Sequence, residues 1–153
     1  MKKWFFLIIS LLLVGYAFSS NVAKQRVTLS VEKISELSIS GNPSPFSVVV
    51  PSTIRPIQET IDNSTVMNCT TNVDNQKITA QLNQTLPDHC YIYCKVGNRG
   101  KFQRLSSNPT IIRDNINRGI EVNIPISIKF QAELGAAVGN EQSREIYFTL
   151  MSM

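Results

Sequence analysis

The chain has 153 residues, is 42% hydrophobic and 17% charged, and carries a net charge of +4. That length suits one domain with a substantial core, and the charge is too small and too scattered for the basic face of a nucleic-acid binder. With one histidine and three cysteines, few residues are left for metal or nucleophilic chemistry.

Lys2 and Lys3 precede the apolar run Trp4–Val14, and small residues follow at Gly15, Ala17 and Ser19. This is the anatomy of a secretory signal peptide, a signal helix over 1–17 with cleavage near 17–20. The run falls short of the roughly 20 residues of a membrane span, so the membrane is expected to be met only through the signal peptide during export. No cysteine lies near the cleavage region to carry a lipoprotein anchor. Cleavage takes two of the 15 basic residues and none of the 11 acidic ones, leaving about +2. The remainder, 22–153, reads as a single domain that is secreted, periplasmic or at the cell surface.

From residue 27 onward the dominant period is two, the signature of strands. In "VTLSVEKISELSIS" Val27, Leu29 and Val31 share one parity, Ile34 breaks it, and Leu37 and Ile39 resume it. A slip of one residue reverses the faces, so Glu32-Lys33 is expected to be a bulge or corner between two strands. Further strands are expected at 46–50, 65–73, 77–83, 90–96 and 144–151. The spans 51–62 and 106–119 read as loops, with a short helix near Ile57–Ile61. Asp74-Asn75-Gln76 reads as a hairpin loop, "GNRG" at 97–100 as a turn into "KFQRL", and 135–140 as a flexible connection.

The clearest strand is "EVNIPISIKFQA". Val122, Ile124, Ile126, Ile128, Phe130 and Ala132 alternate with Glu121, Asn123, Pro125, Ser127, Lys129 and Gln131, which predicts one buried and one wet face. Pro125 has no N–H to donate, so an edge position or a bulge is expected there. Short strands, turns between them and no amphipathic helix predict an all-β sandwich of about 7–9 mostly antiparallel strands.

In "CYIYC" an extended chain sets Cys90 and Cys94 about 13 Å apart, beyond the roughly 7 Å a disulfide tolerates. Cys69 is then the partner of one of them. Cys94, deeper in its strand, is favoured over Cys90, which follows a turn; the third thiol is left for an intermolecular bond or for burial. Asp88-His89-Cys90 holds the residue types of a cysteine protease, but strand neighbours point to opposite faces. Cys69, His89, Cys90 and Cys94 lack the spacing of a zinc site, and "RDNINRG" has too few carboxylates for a calcium loop. No catalytic motif, metal site or cofactor is expected. Lys95, Arg99, Lys101 and Arg104 gather on one hairpin, either as a patch for an acidic glycan or lipid headgroup or as a solvated tip whose charges discourage aggregation. Three Asn-X-Ser/Thr matches, at Asn63, Asn68 and Asn83, are read as polar strand positions because the signal peptide has a bacterial look.

The N-terminal "VTLSVEKISELSISG", the segment "VMNCTTNVDNQKITAQL", the "LP" turn and the closing "REIYFTLMSM" together resemble small exported bacterial β-sandwich proteins of the fimbrial-subunit kind, including the colonisation-factor type of pilin. The resemblance implies an immunoglobulin-like, non-enzymatic subunit of the surface or periplasm that associates with itself or with related subunits. It also implies strand addition, with Val27, Leu29 and Val31 inserting into a neighbour's sheet. The other reading is a monomeric secreted module that binds a glycan or host protein.

Overall fold

The computed structural model describes residues 26–41, 43, 45–49, 51–137 and 143–153. The expected signal peptide and residues 138–140 of the expected flexible connection lie outside them. The chain divides into Met1–Val31 and Glu32–Met153. In the first part Arg26–Val31 joins no ladder, and Val27, Leu29 and Val31 are 66%, 88% and 87% exposed. Among the described residues no helix is long and apolar enough to cross a membrane.

The second part is all-β. Its strands are β1 (Ser35–Ser40), β2 (Ile57–Thr71), β3 (Gln76–Leu82), β4 (Cys90–Val96), β5 (Gln103–Arg104), β6 (Thr110–Ile116), β7 (Gly119–Glu133) and β8 (Ile146–Ser152). Every pair is antiparallel, in a five-stranded sheet ordered β1-β2-β7-β4-β5 and a three-stranded sheet ordered β6-β3-β8. Met67, Ile92, Cys94, Ile126 and Ile128 of the first sheet share one buried cluster with Ile78, Ala80, Leu82 and Ile112 of the second. Two sheets facing across such a core are consistent with a β-sandwich.

β7 is the spine, paired with β2 on one side and β4 on the other. Its even residues face inward as the alternation requires: Ile124, Ile126, Ile128 and Ala132 are buried. Val122 departs from the expectation and is 63% exposed. Asn123 has φ 55°, and the β2–β7 register shifts between Met67 and Cys69; this irregularity turns Val122 outward. Pro125 lies on a central strand, not an edge. Its carbonyl accepts from Gly97 N–H at 2.8 Å, just past the end of β4. A residue's N–H and C=O point to the same side of a strand, so the missing proton falls where no ladder needs it.

A second bulge splits β2. The pairs Asp62↔Ile128 and Thr65↔Ile126 put one extra residue into β2, and Ser64 donates its N–H and Oγ–H to Asp62 Oδ1 at 2.9 and 2.6 Å. Above the bulge Thr65, Met67, Cys69 and Thr71 point inward; below it Gln58, Thr60 and Asp62 do so, and Ile57 and Ile61 point outward. Gly41 closes on this bulge: a Cβ there would lie 2.5 Å from the Ser64 carbonyl oxygen, at φ +111°. β1 therefore leaves β2 after Ser40↔Val66, and Ile57–Asp62 pairs only with β7 among the described residues.

Several expectations are corrected. Residues 57–61 are strand, not helix, because Ile57 and Ile61, four apart, share a face in either structure. Residues 110–116 are strand β6, not loop. Residues 46–49 join no strand; Pro43, Pro45 and Pro51 remove donors around them, though Phe46 packs on Phe130 with ring centroids 6.2 Å apart. Asp74-Asn75 does not close a hairpin within one sheet, since β2 and β3 belong to different sheets. No strand precedes β1 among the described residues, so Glu32-Lys33 does not join two strands; Asn72 Oδ1 accepts from Ile34 N–H at 2.8 Å and Asn72 Nδ2 donates to the Glu32 carbonyl at 2.7 Å.

Candidate functional site

The alternation that sends Ile92, Cys94 and Val96 inward sends Tyr91, Tyr93 and Lys95 to the outer face of the five-stranded sheet. Cross-strand register completes a row there, Ile61–Lys129–Tyr93–Arg104, running over β2, β7, β4 and β5. The Arg104 guanidinium lies over the Tyr91 ring, 4.1 Å from its centroid. Lys129 Nζ lies 4.7 Å from the Tyr93 centroid and 5.3 Å from that of Phe102, and Lys95 Nζ is 5.2 Å from Phe102. Lys129 also pairs with Glu59 at 3.2 Å. Neither Lys95 nor Arg104 has a carboxylate partner among the described residues. Ser127 and Gln131, both buried, form a polar floor between the strands.

At one end of this face is an open cleft of about 420 Å³, lined by Tyr91, Arg104, Leu86, His89, Asp88 and Ser107 among others. "GNRG" makes the tight β4–β5 turn that returns Arg104 beside Tyr93; a Cβ on Gly100 would sit 2.4 Å from the Val96 carbonyl oxygen. His89 has φ 62°, and its ring packs where Gly135 has no side chain, 3.0 Å from the place of a Cβ.

Of the expected basic patch, the fold brings Lys95 and Arg104 onto one face. Arg99 and Lys101 stay on the exposed turn, outside the ring contacts. Nothing in the local sequence pattern marks Lys129, Tyr91, Tyr93 and Phe102 as residues of one site. The parity of "CYIYCKV" already placed both tyrosines opposite the cysteines, but the neighbouring strand that carries Lys129 was not in the local pattern.

The expected Cys69–Cys94 disulfide, with Cys90 as alternative, is corrected: all three thiols are free. β2 and β4 flank β7, and Cys69 faces Glu121 while Cys94 faces Ile128 and Cys90 faces Ala132. Two strand spacings and at least seven residues of offset separate the sulfurs by roughly 20 Å or more, far beyond bonding reach. Cys90 and Cys94 do share one strand, as expected, and are not bonded. Burial pushes the Cys94 thiol up to about 12. Burial raises Cys69 too, with a further upward push from Glu121, and raises Cys90. These thiols are protonated near neutrality, the opposite of an activated nucleophile. Among the described residues no three of His, Cys, Asp and Glu converge on a metal site.

No protein-family model matches this sequence, and no curated protein matches it either.

Proposed function

We propose that the protein is an exported, non-enzymatic subunit of the cell surface or periplasm, fimbrial-like and immunoglobulin-like, which assembles with copies of itself or related subunits by strand addition. One match of patterns carries the reading. Arg26–Val31 is unpaired and offers three exposed apolar side chains at period two, Val27, Leu29 and Val31. β8 pairs with β3 alone among the described residues, and its inward side chains Ile146, Phe148 and Leu150, also at period two, are only half-buried. An added strand would satisfy the open edge of β8 through main-chain bonds while its alternate side chains cover that half-buried row. The incoming segment would come from another copy.

The test is assembly of the exported chain, read by size-exclusion chromatography and by ladders on unheated denaturing gels. The expected outcome is oligomers that vanish in a Val27→Asp/Leu29→Asp double variant whose circular dichroism is unchanged. A monodisperse monomer, indifferent to that double change, overturns the reading.

A further inference from the structure

We propose that the outer face of the five-stranded sheet binds a carboxylated polysaccharide, laid across the row Lys129–Tyr93–Arg104 and reaching into the cleft beside Tyr91. Energetically significant cation–π contacts occur roughly once per 70–80 residues; here four fall on one face, built from only three cations and three rings. The bland explanation is that lysine and arginine stems merely cover exposed rings. Charge argues against it. Stacking leaves a cation's charge uncompensated, and of the outward carboxylates beside the row Glu59 engages Lys129 and Glu133 accepts from Gln131, so Lys95 and Arg104 keep their charge without a carboxylate partner among the described residues.

The geometry selects the anion. The Arg104 guanidinium lies over the Tyr91 ring and makes no side-chain hydrogen bond or ion pair among the described residues, so its N–H fork is open to a carboxylate. The ring beneath holds that fork in place, so less freedom is lost on binding. The hydroxyls of Tyr91 and Tyr93, on the outward parity of β4, suit a ligand rich in hydroxyls. A peptide strand would be gripped through its backbone along a sheet edge, whereas this row is built of side chains that stand out from the sheet's face on β7, β4 and β5. The cleft of about 420 Å³ falls within the range of small-ligand sites, roughly 300–1,000 Å³. It joins the face through Tyr91 and Arg104, and Asp88 on its lining can accept from sugar hydroxyls while the carboxylates stay on the cationic row.

The inference does not rest on strand addition, because the Val27→Asp/Leu29→Asp variant keeps this face and should bind as the parent does. The experiment is affinity electrophoresis of the exported chain through gels containing polygalacturonate, dextran or polyglutamate. Polygalacturonate should retard the protein, more weakly as salt rises, and dextran and polyglutamate should not. A Lys95→Gln/Arg104→Gln variant should lose at least about tenfold in affinity, and Tyr93→Leu, which changes no charge, several-fold. A Lys33→Gln/Arg55→Gln variant, matched in net charge, should bind as the parent. Circular dichroism of each variant checks the fold. Equal retardation by polyglutamate, equal loss in the charge-matched control, or no retardation by polygalacturonate overturns the inference.

Discussion

The two halves of β2 share one strand and one neighbour in β7, yet they have different fates. Above the Asp62–Thr65 bulge the strand has ladders on both sides, and Met67 and Cys69 are 0% and 2% exposed. Below it the strand has one ladder among the described residues, its inward residues are polar, and Ile57 and Ile61 stand 53% and 46% exposed. The apolar content is similar; the phase is not. A single extra residue, locked by the Ser64 bonds to Asp62, decides which isoleucines reach the core and where β1 must let go. Burial here follows register more than composition.

The sharpest way to break that comparison is to truncate one side chain in each half. Met67→Ala removes a fully buried side chain and should lower unfolding stability by about 2–5 kcal/mol. Ile61→Ala, on the wet face, should cost less than about 1 kcal/mol. Urea midpoints with a common slope measure both, and equal losses would mean that the lower half is packed after all. A smaller effect of opposite sign is expected at the bulge itself. Thr65 is buried, and its Oγ1 has no hydrogen-bond partner among the described residues. Thr65→Val keeps the shape and removes the orphaned hydroxyl, so stability should rise by about 1 kcal/mol. A midpoint that falls would show that the hydroxyl is satisfied.

The smallest effect belongs to the upper end. Arg118 donates its N–H and guanidinium to the Asp74 carboxylate, with Nε 2.9 Å from Oδ2, tying the β2–β3 loop to the β6–β7 turn. These bonds hold the Asp74 carboxyl down at about 2, below the usual carboxylate range. A lowered folded value contributes stability that is present above the unfolded value near 4 and is lost as pH falls through about 2. Both groups are substantially exposed, so the effect should be slight. NMR titration should show the Arg118 Nε–H signal shifting with a midpoint near 2, and losing that shift in Asp74→Asn. The lower half of β2 should show no matching change.

Much of this was readable in the residues, and the gaps have causes. β4 spans the expected 90–96, and β7 contains the expected 121–132, because long alternation survives any tertiary context. Ile57–Asp62 carries no strand signal in the sequence, because its inward positions are polar and its two isoleucines are spaced as on a helix. In β6 the alternation is interrupted: Asn115 has φ 53°, and the β3–β6 register shifts twice. The thiol pairing failed for a different reason. Local pattern shows which residues share a face, whereas a bridge depends on which strands are neighbours and how far they slide. The same gap separated Lys129 from Tyr93, which meet only through the β4–β7 register.

The spine has a further consequence, for the timing of folding. Its pairs run from Thr71↔Gly119 to Ile57↔Glu133, so β2 must wait for chain made much later before it finds its principal neighbour. Closing so wide a loop is entropically slow. A polypeptide synthesised from its N-terminus spends that interval with the apolar inward side chains of β2 short of their main shelter, which makes this wait, more than the finished fold, the moment of greatest exposure to aggregation.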